Sequence, residues 1–195
     1  MKYLVAILLI IFPLSIVRAQ TDESIINSLF FDLFDPLSFD LTGDHKDTLL
    51  INSTIYKTYF DYDSAKFEYE TGLKVPMKII SDLKNNMGSD NYTFSWNEKE
   101  LNIVDTIFTG KDTVLAKKPF VKCLSQNEEK ALFEKTKTRQ NIYSISKILF
   151  DDSKENGVFD FLYTPWPGDV SGYKIFIKKV FGKWVIIARF SYSMT

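Results

Sequence analysis

Cysteine and histidine are almost missing from this chain of 195 residues, which contains one of each, Cys123 and His45. A single cysteine cannot form an intramolecular disulfide, so the chain does not belong to the disulfide-stapled class of small secreted domains. A single histidine excludes metal sites built from several histidines, and any histidine-dependent triad would have to use His45. Because Val121 and Leu124 lie next to Cys123, we interpret the cysteine as a small buried hydrophobic residue.

The chain also lacks the short motifs that mark common enzyme chemistries. It contains no H-E-x-x-H, no G-x-S-x-G, no P-loop and no C-x-x-C motif. Ser81-Asp82-Leu83-Lys84 and Ser89-Asp90-Asn91 imitate two elements of serine β-lactamases, but they lie only four residues apart and K-T-G is absent. We interpret them as a solvated helix end and a turn. The sequence therefore predicts no metal site and no cofactor, and it favours a protein that is not an enzyme.

Residues 1–19 are typical of a cleaved secretory signal. Lys2 precedes an apolar run from Leu4 to Phe12, and the small residues Val17 and Ala19 end the segment. A membrane anchor is the alternative, but Pro13 interrupts the run, which is shorter than the roughly 20 residues that a spanning helix needs. We expect cleavage after Ala19 without lipid modification, because no cysteine follows the run.

Residues 20–195 are expected to form a single α+β domain that is secreted or periplasmic and does not span a membrane. Removal of the signal takes Lys2 and Arg18 from 24 basic residues, which leaves 22 against 25 acidic residues. A net charge near −3 gives no electrostatic support for a nucleic-acid partner. The absence of disulfides favours a bacterial protein, whereas the glycosylation sequons at Asn52 and Asn91 favour a eukaryotic one.

The middle of the chain alternates between helical and extended patterns. Apolar residues recur at three- and four-residue steps over residues 24–33 and 76–87, and Ser125 to Glu128 is a capping-box sequence that starts a third helix. Residues rich in tyrosine and β-branched side chains over 53–70 predict a hairpin. Two short strands are predicted at 101–108 and 119–124.

Four hydrophobic runs in the last part of the chain predict an antiparallel meander. Connectors with Asp, Gly or Pro separate them, and the runs are Ile142–Phe150, Val158–Thr164, Tyr173–Val180 and Trp184–Tyr192. We expect one face of the last strand to hold Trp184, Ile186, Ala188, Phe190 and Tyr192. Helices that precede a meander, without strict alternation of strand and helix, predict an α+β fold with helices packed on an antiparallel sheet.

The same region carries a series of packing and turn motifs. A charged helix over 127–139 leads into Ile145 to Phe150, and Gly182-Lys183-Trp184 closes the last hairpin. This part, roughly a third of the chain, resembles small exported bacterial proteins of unknown function that end in a similar meander. Those proteins usually have proline in place of Ile148 and a glycine-rich loop in place of residues 165–168. The resemblance implies no catalytic residue, and a cone-like fold similar to the nuclear-transport-factor-2 group is a further analogy.

Trp166 is the candidate ligand-contacting residue. Pro165 and Pro167 fix the backbone on both sides of it, so its indole ring could stack on a sugar or on a partner's side chain. Tyr163 and Asp169 complete this candidate site, the latter as a polar contact. The alternative is that Trp166 folds back over an open end of the sheet.

These observations favour a non-enzymatic binding or envelope-associated module whose unknown ligand is a glycan or an envelope protein. The alternative is a hydrolase that uses carboxylates in a cone-like cavity, and the candidate carboxylates are Asp61, Asp63, Glu68 and Glu70. Alternation of Glu68 and Glu70 with aromatic residues also fits a solvated strand face. A polar cavity around a carboxylate with a strongly shifted pKa would favour the hydrolase, and a filled core would favour binding.

Overall fold

A computed structural model describes most of the chain beyond the predicted signal, with several gaps. The described residues are 21–34, 48–58, 60, 63–88, 94–102, 120–138, 140–166 and 169–194. The predicted signal peptide, His45, Asp61 and most of the predicted strand at 101–108 lie outside them. Within the described part, no helix is both long enough and apolar enough to cross a membrane.

Six helices and nine strands make up the described part of the chain. The helices are α1 (Asp22–Ser28), α2 (Phe30–Leu33), α3 (Ser64–Thr71), α4 (Met77–Asn85), α5 (Glu98–Leu101) and α6 (Gln126–Thr136). The strands are β1 (Thr48–Asn52), β2 (Thr54–Ile55), β3 (Phe94–Ser95), β4 (Phe120–Leu124), β5 (Ile142–Ile145), β6 (Leu149–Phe150), β7 (Asn156–Trp166), β8 (Asp169–Val180) and β9 (Lys183–Met194). Seven of the strands form one sheet in the order β4-β1-β5-β7-β8-β9, with β6 also paired to β7, and β2 pairs with β3.

The α+β class and the antiparallel C-terminal strands are confirmed, but the sheet as a whole is mixed. Strand β1 runs parallel to both β4 and β5, whereas β5, β7, β8 and β9 are antiparallel neighbours. The prediction of an antiparallel sheet is therefore wrong at its β4 edge. The reason is the connection through α6, which carries the chain from β4 across β1 to β5 and so keeps these strands in one direction. The described residues do not confirm a cone-like shape.

The capping box at Ser125 and the helix predicted over 76–87 are confirmed, and the helix predicted over 24–33 is present as α1 and α2, which are divided at Leu29. The hairpin predicted over 53–70 is wrong. Its second half is helix α3, whose first turn is capped by the Asp63 side chain and which ends at Gly72 with φ of 68°. The alternation of Phe67 and Tyr69 with glutamates imitates a strand, in which the two aromatic rings would share one face. In the helix they do not, since Phe67 is buried and Tyr69 is exposed. Leu101, predicted to start a strand, instead ends α5.

One face of the sheet is covered by α1 and α2, and we call it the sealed face. Its buried cluster is apolar, and in it Phe159 is 0% exposed and Ile175 is 1% exposed. The guanidinium group of Arg189 in β9 donates a hydrogen bond to the carbonyl oxygen of Asp32, which ties α2 to the edge of the sheet. The aliphatic residues that predicted the first helix are the ones that close this face.

The opposite face packs against α3 and α4, and we call it the mixed face. Its apolar cluster includes Phe67, Leu83 and Phe176. The same face carries two buried charged side chains, Asp160 on β7 and Lys174 on β8. Neighbouring residues of a strand point to opposite faces of the sheet. Because Phe159 belongs to the sealed face, Asp160, the next residue of β7, lies on the mixed face.

A β-bulge in β9 moves part of the last strand from one face to the other. Phe176 pairs with Ala188 while Ile177 pairs with Ile186, so Ile187 is an extra residue in β9. Before the bulge, Trp184 and Ile186 lie on the sealed face. After it, Ala188 and Phe190 lie on the mixed face. The prediction that all of them share one face is wrong because the extra residue inverts the alternation.

Candidate functional site

Trp166 and Asp169 form the last registered pair at one end of the β7–β8 hairpin. Trp166 is the final residue of β7, and the register of the two strands shifts between it and Tyr163. The hydroxyl of Tyr163 donates a hydrogen bond to Asn141 Oδ1 at 2.8 Å, and its ring centroid lies 5.2 Å from that of Tyr143. Tyr163 is thus engaged by β5 and the segment before it. The roles of Trp166 and Asp169 in ligand binding stay predictions.

Of the carboxylates considered for a hydrolase, Asp63, Glu68 and Glu70 are described, and all three belong to helix α3 or its cap. Glu68 also lines a shallow pocket of about 410 Å³ beside Lys74. Asp63 caps the helix by accepting the backbone N–H groups of its first turn. Glu70 lies 3.9 Å from the ammonium of Lys66 one turn earlier, and Glu68 is exposed. The prediction that Glu68 and Glu70 lie on a strand is wrong.

Cys123 is half-buried on β4 and packs against the cluster of the sealed face. Burial, together with the nearby carboxylate of Glu98, raises the pKa of its thiol to about 12. Its backbone N–H donates to Glu98 Oε2 at 2.9 Å. No three His, Cys, Asp or Glu side chains of the described residues are grouped as metal ligands would be.

The break between β5 and β6 is held by a buried polar cluster that sequence reasoning missed. Lys174 Nζ lies 2.5 Å from Asp160 Oδ1, and both side chains are buried. The backbone N–H of Asp160 donates to Ser146 Oγ at 2.7 Å, and Ser146 Oγ lies 2.5 Å from Thr58 Oγ1. Burial raises the pKa of Asp160, while the ammonium of Lys174 opposes that rise. Charged residues inside two hydrophobic runs were the only sequence signal for this pair.

A pocket of about 540 Å³ opens beside this polar cluster. Three parts of the fold form its walls: the segment after β2, the end of α4 with strand β3, and the chain from the β5–β6 break to the turn after β6. Thr58 belongs to both the cluster and the pocket wall. The apolar part of the lining consists of Ile55, Met87, Phe94, Ile148, Leu149 and Phe150.

Hydrogen bonds between the three walls fix the shape of the pocket. The backbone N–H of Lys147 donates to the carbonyl oxygen of Tyr56 at 3.1 Å, and Thr58 Oγ1 donates to the carbonyl oxygen of Lys147 at 2.6 Å. On the other side, Asn86 Nδ2 donates to Asp152 Oδ1 at 2.9 Å and to the carbonyl oxygen of Phe150 at 3.1 Å. The pocket is therefore largely pre-formed, as ligand sites usually are.

The turn that borders the pocket is organised by the carboxylate of Asp151. It accepts hydrogen bonds from the Ser153 hydroxyl, from the backbone N–H of Glu155 and from both the backbone and the side chain of Asn156, at 2.7–3.1 Å. Burial alone would raise the pKa of Asp151, but these hydrogen bonds outweigh it and lower the pKa. Asp151 is thus an ionised structural group, and the connector between the first two hydrophobic runs is the turn of the β6–β7 hairpin.

The residues that line the pocket include three lysines and two aspartates, a formal excess of one positive charge. Three ammonium groups line it, those of Lys57, Lys147 and Lys154, whereas its two carboxylates are already engaged by the turn and by Asn86. Lys57 donates to the carbonyl oxygen of Gly88, and Lys147 Nζ lies 4.5 Å from the centroid of the Phe94 ring. This arrangement can accept an anionic group beside an apolar body.

Among the residues that the structure describes, the carboxyl groups whose pKa is raised by burial lie elsewhere. They are Asp22, Glu129 and Asp160, and none of them lines the pocket. Asp22 Oδ2 accepts the backbone N–H of Ile148 at 3.0 Å, so it supports the pocket wall from behind. Nothing in the sequence pattern marked the pocket, because its walls come from segments far apart in the chain.

Comparison of the chain with protein families, with characterised proteins and with solved structures finds no match. The pocket and its lysines are therefore interpreted from their geometry alone.

Proposed function

We propose that the protein is an exported binding module, and that its pocket holds a small anionic ligand with an apolar body. The observation that carries the proposal is the pairing of three rim lysines with an apolar wall that includes Phe94 and Phe150. The volume of about 540 Å³ lies within the range of small-molecule sites. The secretory signal predicted at residues 1–19 supports a secreted or periplasmic location.

The state of the carboxylates supports binding more than hydrolysis. A general acid or base must reach the reacting atoms with a pKa near the working pH. Asp151 is lowered in pKa and used by its turn, and Asp152 accepts a hydrogen bond from Asn86. Asp160, whose pKa is raised, is buried against Lys174. Clusters of buried apolar side chains pack on both faces of the sheet, and a filled core favours binding over hydrolysis.

Fluorescence titration with anilinonaphthalene sulfonate, an anionic aromatic probe, tests the proposal. Phe94→Ser removes the aromatic wall, and Lys147→Gln removes one ammonium, so each variant should weaken binding of the probe about tenfold. The matched controls are Phe133→Ser and Lys135→Gln on α6. Phe133 is 42% exposed, as is Phe94, so the two phenylalanine variants remove comparable surface.

The proposal requires that both controls keep the affinity of the unaltered protein. Near-ultraviolet circular dichroism of every variant checks that the probe is not reporting a loosened core, to which it also binds. Equal affinity of Phe94→Ser and Phe133→Ser would contradict the pocket as the binding site. Equal affinity of Lys147→Gln and Lys135→Gln would contradict the anionic character of the ligand.

The Trp166 surface is a separate predicted contact site for a glycan or an envelope protein. It lies at the far end of β7 from the pocket, because the turn at Asp151 precedes the strand and Trp166 ends it. Binding to a glycan array should be lost in Trp166→Ala, with an unchanged melting temperature. A lower melting temperature without any glycan signal would support the alternative that Trp166 covers the end of the sheet.

A further inference from the structure

The turn between β8 and β9 holds an aromatic residue in a conformation that does not suit it. Phe181 and Gly182 have φ of 49° and 79°, and Val180 pairs with Lys183 on either side of them. Two-residue hairpin turns with both φ values positive favour Asn-Gly, because a bulky side chain is strained there. The Phe181 side chain is fully exposed, so it gains no burial in return. Stability of the fold does not explain a phenylalanine at this position.

Lysines surround this turn on both faces of the hairpin. Lys178 and Lys183 lie on the face that also carries Val180, whereas Lys179 lies on the other face opposite Trp184. All three lysines are exposed, and Val180 is partly exposed beside the turn. We call residues 178–183 the hairpin tip. The tip contains no acidic residue.

The neighbouring turn after β6 adds charge of both signs behind the tip. The backbone N–H of Lys179 donates to the carbonyl oxygen of Glu155 at 2.7 Å, which places that turn next to the hairpin. Lys154 contributes a further exposed ammonium, and Asp152 and Glu155 contribute two exposed carboxylates. Together, the tip and this turn carry four lysines and two acidic residues on their surface, an excess of positive charge.

We infer that the hairpin tip anchors the protein to an anionic lipid surface, with Phe181 inserted between the headgroups. An apolar side chain at the very end, with lysines two or three residues away from it on both faces of the hairpin, matches the order of layers at such a surface. Open space around Gly182 leaves the tip free to approach a bilayer. A single side chain gives only reversible attachment, so the lysines must supply part of the affinity. This inference does not depend on the pocket.

Co-sedimentation of the protein with lipid vesicles tests the inference. Vesicles of phosphatidylglycerol mixed with phosphatidylcholine should bind the unaltered protein, and vesicles of phosphatidylcholine alone should not. Phe181→Asn should weaken binding to the anionic vesicles about tenfold, because it removes the inserted ring. The same substitution should raise the melting temperature, because Asn-Gly suits the turn. If Phe181 only stabilised the turn, Phe181→Asn would lower both the vesicle binding and the melting temperature.

Tyr69→Asn is the matched control, since Tyr69 is also an almost fully exposed aromatic residue but lies on α3. It should leave vesicle binding unchanged. Replacement of Lys178, Lys179 and Lys183 by Gln should abolish binding, and so should raising salt from about 0.1 M to about 1 M, which shortens the Debye length from about 10 Å to about 3 Å. Sedimentation of Phe181→Asn equal to that of the unaltered protein would overturn the inference. Capture of an acidic protein through Phe181, without vesicle binding, would also overturn it.

Discussion

The two faces of the sheet are closed by different chemistry. The sealed face packs an apolar cluster that includes Phe159 against α1 and α2. The mixed face combines an apolar cluster with the buried pair of Asp160 and Lys174 and with the hydroxyls of Ser146 and Thr58. Burial of charge costs free energy that pairing only partly returns, so we expect the sealed face to contribute more stability than the mixed face. The pocket opens where the mixed face ends, and Thr58 belongs to both.

Removal of one charge from the mixed face should have the largest effect. Lys174→Met leaves the Asp160 carboxylate buried without its ammonium, and we expect a loss of roughly 3–5 kcal/mol in the free energy of unfolding. Chemical denaturation at neutral pH measures it. The double variant Lys174→Met with Asp160→Val removes both charges and should recover most of the loss, because an apolar pair needs no partner. A double variant as unstable as the single one would contradict this view of the mixed face.

The destabilisation of Lys174→Met should depend on pH. Burial raises the pKa of Asp160 above its ordinary value of 3.8, and loss of the ammonium removes the effect that opposes this rise. Between pH 3.8 and the raised pKa, Asp160 keeps its proton in the folded variant but has lost it in the unfolded chain. The free energy of unfolding of the variant therefore falls as pH rises through this range. Denaturation curves at several acidic pH values should show the destabilisation shrinking as pH falls. A constant destabilisation across this range would show that the charge of Asp160 is not its cause.

Crowding of the mixed face should have an intermediate effect. A Cβ atom at Gly172 would lie 2.5 Å from the carbonyl oxygen of Phe161 and 2.6 Å from Leu162 Cδ2 on the neighbouring strand. Gly172→Ala should therefore cost about 1–3 kcal/mol, as overpacking usually does. Ser171→Ala is the control, because Ser171 is exposed next to Gly172 in the same strand. Equal stability of the two variants in thermal melts would mean that β7 and β8 separate more easily than their pairing indicates.

The last prediction concerns the alkylation rate of Cys123, which reports how well the sealed face excludes solvent. It involves no change in stability. With a thiol pKa of about 12, Cys123 should react with iodoacetamide at pH 8 at least about a hundredfold more slowly than in the unfolded chain. Mass spectrometry of the alkylated protein, with and without urea, measures both rates. Fast alkylation of the folded protein would show that the β4 edge opens readily.

Local signals predicted the elements that form locally. The capping box at Ser125 needs only residues 125–128, and the hairpin at Gly182 needs only the turn and its flanking strands, so both could be read from the sequence. Helix α3 was missed although Asp63 is a good cap, because the alternation around Phe67 imitates a strand. The bulge at Ile187 leaves no trace in a run of apolar residues.

The candidate site could not be predicted because it depends on contacts between distant segments. Thr58 and Lys147 are 89 residues apart in the chain, yet their hydrogen bond forms one wall of the pocket. Asp160 and Lys174 are closer, but whether two charges on neighbouring strands face each other depends on the register of those strands. Trp166, by contrast, was singled out only because prolines flank it in the sequence, and that local signal needs no contact with distant residues.

The hydrogen bond from Arg189 to Asp32 joins residues that are 157 positions apart, and it has a consequence for the order of folding. Strands β7, β8 and β9 are connected by short turns, so this hairpin array can assemble early and fast. Attachment of α1 and α2 must close a far longer loop, and we expect it to be the late step. Until then, one side of the array leaves Phe159 and Ile175 in water. The folding intermediate most prone to aggregation is therefore a complete hairpin array that still waits for the N-terminal helices.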